Sequence, residues 1–168
     1  MEEQVHVRGT DENEEREDAM SSKAAIEAFV SQPALALIGI SRSGKKFGNL
    51  AYRVLHSKGY RVYPIHPHAK TINGVQCYSD FAALPEPIQN VLVVLPPSQA
   101  ATAVRRAASA GIHNVWLQQG SESPEVLKTC RDVGVDAISG ECILMFARPT
   151  SYHKVHRWVS GLMGKLPA

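Results

Sequence analysis

The feature that most constrains this chain is a series of short, fully apolar runs, each followed by a polar loop. The first run, Ala34–Ile40, contains no polar side chain. Such a run is typical of a strand buried on both faces of a sheet, because a strand with one face in water alternates apolar and polar residues. The polar segment Ser41–Lys46 follows, and the next apolar residues recur at helical spacing until Gly59, which ends a predicted helix.

The same alternation continues along the chain. Further strands are predicted at 60–65, 91–95, 114–117 and 135–138, with a weaker one at 74–78. Helices are predicted at 24–30, near 98–110 and from Ser123-Pro124-Glu125 onward, with a helical turn near 79–84. Buried strands that alternate with helices predict an α/β fold: a Rossmann-like, doubly wound, mostly parallel sheet with helices on both faces.

Charge divides the 168 residues into unequal parts. Residues 1–20 hold eight acidic and two basic residues, a net charge of −6, whereas residues 21–168 carry a net charge of +8. We therefore expect an acidic, disordered tail at 1–20 and one domain at 21–150. We also expect a C-terminal helix at 151–168, whose apolar stripe would pack on the domain or on a second copy of the chain.

Several classes of protein are disfavoured by composition. No apolar run approaches the roughly 20 residues of a membrane span, and no basic run is interleaved with aromatic residues as in single-strand binders, so neither a membrane nor nucleic acid is an expected partner. The three cysteines are far apart and form no Cys-x-x-Cys pair, which favours the reducing cytoplasm over a disulfide framework or a zinc site.

The end of the first predicted strand has the pattern of a phosphate-binding turn. Gly39-Ile-Ser41-Arg42-Ser-Gly44 matches G-x-G-x-x-G except for serine at the middle glycine. A glycine permits the tight turn, the N–H groups that open the next helix favour a phosphate, and Arg42, Lys45 and Lys46 add positive charge. The alternative is that these glycines serve only the turn itself.

The end of the second strand distinguishes between nucleotide ligands. An NAD site normally has an acidic residue there to hold the ribose hydroxyls. The stretch Pro64–Lys70 has none and contains several groups able to carry positive charge. This composition favours a ligand with another phosphate near the ribose, and NADP and coenzyme A (CoA) both meet that condition.

Three segments carry a resemblance to a known family. Gly39-x-Ser41-Arg42, Lys46-Phe47-Gly48-Asn49 and Gly59–Pro67, in this order and spacing, resemble the stand-alone CoA-binding domain proteins. Those proteins are related to the CoA-binding domain of the succinyl-CoA synthetase alpha subunit and of ADP-forming acyl-CoA synthetases. The resemblance covers roughly residues 34–148.

The resemblance implies a row of ligand contacts that begins at the Gly39 turn. The implied contacts are Ser41, Arg42 and Lys46 for the phosphates; His66, Pro67 and Lys70 beside the adenosine, with Lys70 facing the ribose phosphate; Leu95, Pro96 and Pro97 as the adenine wall; and Gln118 and Gln119 along the pantetheine path. It also implies that Cys142 lies near the thiol end of CoA. For that cysteine, packing as a small buried side chain is the alternative.

No catalytic or metal-binding arrangement is legible in the sequence. The pairs His66/His68 and His153/His156 have no neighbouring Asp, Glu or Cys to complete a metal site. The chain has no room for the second domain of the synthetases, so we expect it to bind CoA or acyl-CoA without catalysis of its own. An NADP- or other nucleotide-dependent enzyme component completed by a partner chain is one alternative, and an interaction module with a vestigial crevice is another. The sequence leaves open whether the chain forms a homodimer.

Overall fold

A parallel sheet forms the centre of the computed structural model, which describes residues 22–147. Along the chain the elements are α1 (Lys23–Ser31), β1 (Ala34–Ile38), α2 (Phe47–Ser57), β2 (Arg61–Ile65), β3 (Thr71–Ile72), β4 (Val75–Gln76), a 3₁₀ turn (Phe81–Ala83), β5 (Asn90–Val93), α3 (Pro97–Ser109), β6 (Asn114–Leu117), α4 (Pro124–Asp132), β7 (Asp136–Ile138) and α5 (Ile143–Phe146).

The order of the five parallel strands is β2-β1-β5-β6-β7. The chain leaves β1 toward β2 and then returns to the other side of β1 at β5, so that β1 pairs with both. The gap between the β1 and β5 exits is therefore the switch point of a doubly wound sheet, where the loops on either side diverge. The predicted fold class is confirmed.

Both faces of the sheet are covered by helices. On one face Leu35 and Leu37 pack in a cluster with residues of α1, α2 and α5, and on the other Ala36 packs in a cluster with residues of α3 and α4. Trp116 is fully buried in the first cluster, with its ring 5.3 Å from that of Phe29 in an edge-to-face contact. Burial on both faces is the reason why the strands have continuous apolar sequences.

Two predicted strands are shorter in the structure than in the sequence prediction. β1 ends at Ile38 rather than Ile40, and β5 ends at Val93 rather than Leu95. At the end of β1 the cause is Gly39, whose φ of +118° turns the chain out of the strand conformation. Beyond these points the apolar sequence belongs to the loops that form the floor of the crevice described below.

The strand predicted at 74–78 is instead half of a small hairpin. β3 and β4 pair antiparallel around Asn73 and Gly74, which both have positive φ (50° and 79°), as a two-residue hairpin turn requires. Tyr78 then bridges to Ile65 at the end of β2, which covers part of that edge strand. The tail predicted at 1–20 and the helix predicted at 151–168 both fall outside the described residues. None of the helices from 22 to 147 is long and apolar enough to cross a membrane.

Candidate ligand-binding crevice

A cavity of about 1130 Å³ opens at the carboxyl ends of β1, β2 and β5. Its walls come from the loop after β1, the loop after β2, the loop after β5 and one side of α3. The cavity therefore lies over the switch point, which is where doubly wound sheets bind their ligands.

Two glycines allow the backbones to meet at the floor of the crevice. A Cβ atom on Gly39 would lie 2.0 Å from the carbonyl oxygen of Val94, and one on Gly48 would lie 2.3 Å from the carbonyl oxygen of Gly39. Both contacts are with backbone, so a larger residue at either position would force the strand exits and α2 apart. Gly48, in the first turn of α2, is therefore the glycine at which the helix packs closely against the β1 exit.

Gly44, the last glycine of the fingerprint match, takes no part in this packing. α2 does not begin until Phe47, so the loop is longer than in the fingerprint, and Gly44 lies in that loop with φ of +70° beside the side chain of Asn73. Phe47 and Gly48, the first two residues of the helix, have N–H groups without acceptors inside it, and both residues line the cavity.

The main chain of Ser41 is clamped by Asn49, a buried residue of α2. The Asn49 side chain accepts a hydrogen bond from the Ser41 N–H at 3.1 Å and donates one to the Ser41 carbonyl at 2.9 Å. The Ser41 hydroxyl in turn accepts a hydrogen bond from the N–H of Ser43 at 3.3 Å. The loop conformation is therefore fixed by the helix that follows it, before any ligand binds.

Arg42 joins the loops that follow β1 and β2. Its Nη2 donates to the carbonyl oxygen of His68 at 3.1 Å, and the His68 N–H donates to Nδ1 of His66 at 3.2 Å. Burial, and then the charges of Arg42 and His68, lower the pKa of His66. Because Nδ1 accepts this hydrogen bond and the pKa is lowered, the environment of His66 favours the neutral ring over the charged one.

One side of α3 forms the wall that the sequence prediction missed. Gln99, Thr102, Ala103 and Arg106 follow one another at spacings of three, one and three, which places them on one helix face toward the cavity. The sequence shows polar residues at 99, 102 and 106 after Pro96-Pro97, but at a spacing that any solvent-facing side of a helix also has. The described lining includes the cations Arg42, Lys46 and Arg106 and contains no Asp or Glu.

Comparison with known proteins identifies the family. The sequence model of the CoA binding domain family matches residues 34–148. This chain belongs to that family. The predicted resemblance and its extent are confirmed.

Relatives in the CoA binding domain family include much longer enzymes. An ADP-forming acetate–CoA ligase of Archaeoglobus fulgidus is 24% identical over 121 residues, which are 66% of this chain and 18% of the ligase. A conserved hypothetical protein from Pyrococcus furiosus is 32% identical with a TM-score of 0.63, over 68% of this chain and 98% of that one. The dinucleotide-forming acetyl-coenzyme A synthetase 1 of Ca. Korarchaeum cryptofilum shares the fold at 22% identity and a TM-score of 0.57, over 67% of this chain and 27% of the synthetase.

Most residues that the family resemblance implicated meet in the crevice. They are Gly39, Ser41, Arg42, Lys46, His66, Pro67, Leu95 and Pro96. Pro97 is instead the first residue of α3, and Lys70 lines a neighbouring cavity of about 460 Å³ that shares His66, Pro67 and His68 with the crevice. Cys77 lines this smaller cavity too, and burial raises the pKa of its thiol.

Gln118 and Gln119 lie outside the lining of the crevice. The Gln118 carboxamide is buried and accepts a hydrogen bond from the Ile143 N–H at 3.2 Å, while Gln119 donates to the Gly140 carbonyl at 3.0 Å. These bonds join the end of β6 to the segment after β7. Cys142 is half-buried at the start of α5 and does not line the crevice either.

Proposed function

We propose that this chain binds CoA or an acyl-CoA in the crevice, with the phosphates at the loop after β1, and that it does so without catalysis of its own. The observation that carries the proposal is a large cavity at the switch point whose described lining contains three cations and no carboxylate. The membership of the CoA binding domain family supports the same ligand. Because the match spans 18% of the ligase, ligase chemistry is not part of the proposal.

The pyrophosphate of the ligand would lie against Ser41, Arg42 and Lys46. The clamp by Asn49 holds the backbone in one conformation, so little entropy is lost when an anion binds. The N–H groups of Phe47 and Gly48 and the positive end of α2 add partial charges that attract a phosphate.

The adenosine would extend from the pyrophosphate toward the loop after β2. His66 and Pro67 would lie beside it, and Leu95 and Pro96 would form an apolar wall for the adenine. The pantetheine arm would leave in the opposite direction, toward the β6 exit and Gln119. In this arrangement Gln118 does not contact the pantetheine but holds α5 against the β6 exit, through its hydrogen bond to the Ile143 N–H.

NADP is the second candidate, because residues 66–70, directly after β2, contain no acid to hold a free ribose diol. Titration calorimetry with CoA, acetyl-CoA, NADP and ATP distinguishes the two, together with mass spectrometry of small molecules released from the purified protein. We expect CoA and acetyl-CoA to bind at least about tenfold more tightly than the others. Tighter binding of NADP, or binding of none of the four, contradicts the proposal.

The position of the ligand is tested with Ser41→Leu. A leucine side chain would occupy the space over the phosphate loop, so we expect CoA binding to be lost while the circular dichroism spectrum is unchanged. Ser57→Leu is the matched control, because Ser57 is exposed at the carboxyl end of α2, the helix that follows the Ser41 loop. A Ser41→Leu variant that binds CoA like the wild type places the ligand elsewhere.

A further inference from the structure

We propose that Arg106 binds the ribose 3′-phosphate of CoA and makes the crevice selective for 3′-phosphorylated derivatives of ADP. The inference rests on the proposed function and names a specificity-determining residue for it. The sequence motifs of the phosphate loop do not include this residue, which lies in the second half of α3.

Arg106 is the cation of the α3 wall. Its guanidinium forms no hydrogen bond or ion pair with any residue between 22 and 147, although other charged side chains there, such as Arg61 and Lys128, pair with carboxylates. Its neighbour Arg105 faces the other way and donates to the hydroxyl of Thr129 on α4 at 3.3 Å. Thus one arginine of the pair fastens α3 to α4, and the other faces the cavity unpaired.

The outline of the cavity indicates which part of the ligand Arg106 would meet. The lining takes residues from the exits of β1, β2 and β5, and the described lining includes none from the exits of β6 and β7. With the pyrophosphate at the β1 exit, the β2 side of the cavity receives the adenosine. Apart from the pyrophosphate, the only anionic group of that half of CoA is the 3′-phosphate.

The charges of the crevice fit this assignment. Arg42 and Lys46 lie at the pyrophosphate loop, and Arg42 also holds the His68 carbonyl, which leaves Arg106 as the remaining cation of the described lining. A guanidinium can bind a phosphate through two parallel hydrogen bonds. Lys70, the cation that the family resemblance suggested for this phosphate, lines the neighbouring cavity instead.

The test compares CoA with dephospho-CoA by calorimetry, with adenosine 3′,5′-bisphosphate and 5′-AMP as a second pair that lacks pantetheine and differs only in the 3′-phosphate. For the wild type we expect the 3′-phosphorylated member of each pair to bind roughly ten- to a hundredfold more tightly. In Arg106→Gln we expect equal affinity within each pair and unchanged affinity for dephospho-CoA. Arg105→Gln and Lys70→Gln are the controls, and both should keep the preference of the wild type.

Each other outcome has a definite meaning. An Arg106→Gln variant that keeps the preference, or that loses affinity for CoA and dephospho-CoA alike, overturns the role of Arg106. Loss of the preference in Lys70→Gln alone gives the role to Lys70 and overturns the inference as well. A wild type that binds none of these ligands overturns the proposed function itself. That failure is seen in the wild type, whereas failure of the inference is seen in the variants, so the two can be told apart.

Discussion

At the scale of single residues, the crevice depends on side chains that have no close substitute. Asn49 both donates to and accepts from the backbone of Ser41, and no other side chain of its size can do both at these distances. His66 accepts the N–H of His68 through Nδ1, which it can do only as a neutral ring. The net charge of the site therefore depends on the protonation state of His66 as well as on which residues line the crevice.

The state of His66 predicts how stability depends on pH. Burial and the charge of Arg42 hold its pKa below the value of about 6.5 that it has in the unfolded chain. Between these two pKa values the unfolded state binds more protons than the folded state. The contribution of His66 to the free energy of unfolding is therefore complete above about pH 6.5 and is lost as the pH is lowered through this window.

Urea unfolding between pH 7.5 and 5 measures this effect. His66→Asn keeps a hydrogen-bond acceptor but cannot take up a proton, so we expect its stability to fall less than that of the wild type. His113→Asn, at an exposed position outside the crevice, serves as the control. If the free energy of unfolding falls with pH by the same amount in the wild type and in His66→Asn, His66 does not contribute to the pH dependence of stability.

At the scale of elements, the sequence predicted the strands and helices well for a physical reason. A strand buried on both faces must be apolar throughout, and Ser123-Pro124 begins α4 with a capping serine that accepts the Val126 N–H at 3.2 Å. The β3–β4 hairpin was missed because two-residue strands carry no periodicity, although Asn73-Gly74 is a strong turn signal.

The site was less predictable than the elements because it depends on distances between segments far apart in sequence. The face of α3 with Arg106 has the spacing of an ordinary solvent-exposed face, and nothing in the sequence says that a cavity borders it. Gly44 matches the fingerprint by spacing, but the glycine that packs against Gly39 is Gly48, and only the folded loop determines this. Gln118 was expected in an open path, yet its carboxamide is buried in a bond to Ile143.

The prediction at the scale of elements concerns the loop between β1 and α2. In Asn49→Asp the side chain can still accept from the Ser41 N–H, but a carboxylate faces the Ser41 carbonyl instead of donating to it. The helix itself should not weaken, because an acidic residue in the first turn is favourable. We therefore expect an approximately tenfold loss of CoA affinity from the displaced loop, with the domain still folded.

Calorimetry and thermal unfolding together test the loop. Asn114→Asp is the matched control, since it removes an amide that donates to Asn90 at 3.0 Å, near the amino ends of the strands. If Asn49→Asp binds CoA as tightly as the wild type, the clamp does not position the phosphate loop.

At the scale of the whole molecule, the domain extends beyond the segment that defines its family. The family match begins at residue 34, yet α1 precedes it and is packed on the sheet. Phe29 contacts Trp116, the side chain of Asn90 donates to the Phe29 carbonyl at 2.9 Å, and the Tyr60 hydroxyl donates to the Val30 carbonyl at 2.7 Å. Removal of α1 would therefore expose the core.

The distribution of charge gives the last prediction. Residues 1–20 have a net charge of −6 and the rest of the chain +8, so the acidic segment opposes the attraction between the domain and an anionic ligand. When the eight acidic residues of this segment are replaced by Gln and Asn, CoA should bind faster and about two- to tenfold more tightly at 10 mM salt. At 0.5 M salt the difference should vanish, because exposed charges are screened beyond a few ångströms. Stopped-flow titrations measure the rate of binding, and calorimetric titrations measure the affinity. The control is a chain in which the order of residues 2–20 is scrambled. It keeps the charge, so it should behave like the wild type. A difference that persists at high salt would indicate a specific contact rather than long-range repulsion, and no difference at low salt would show that the segment does not influence binding.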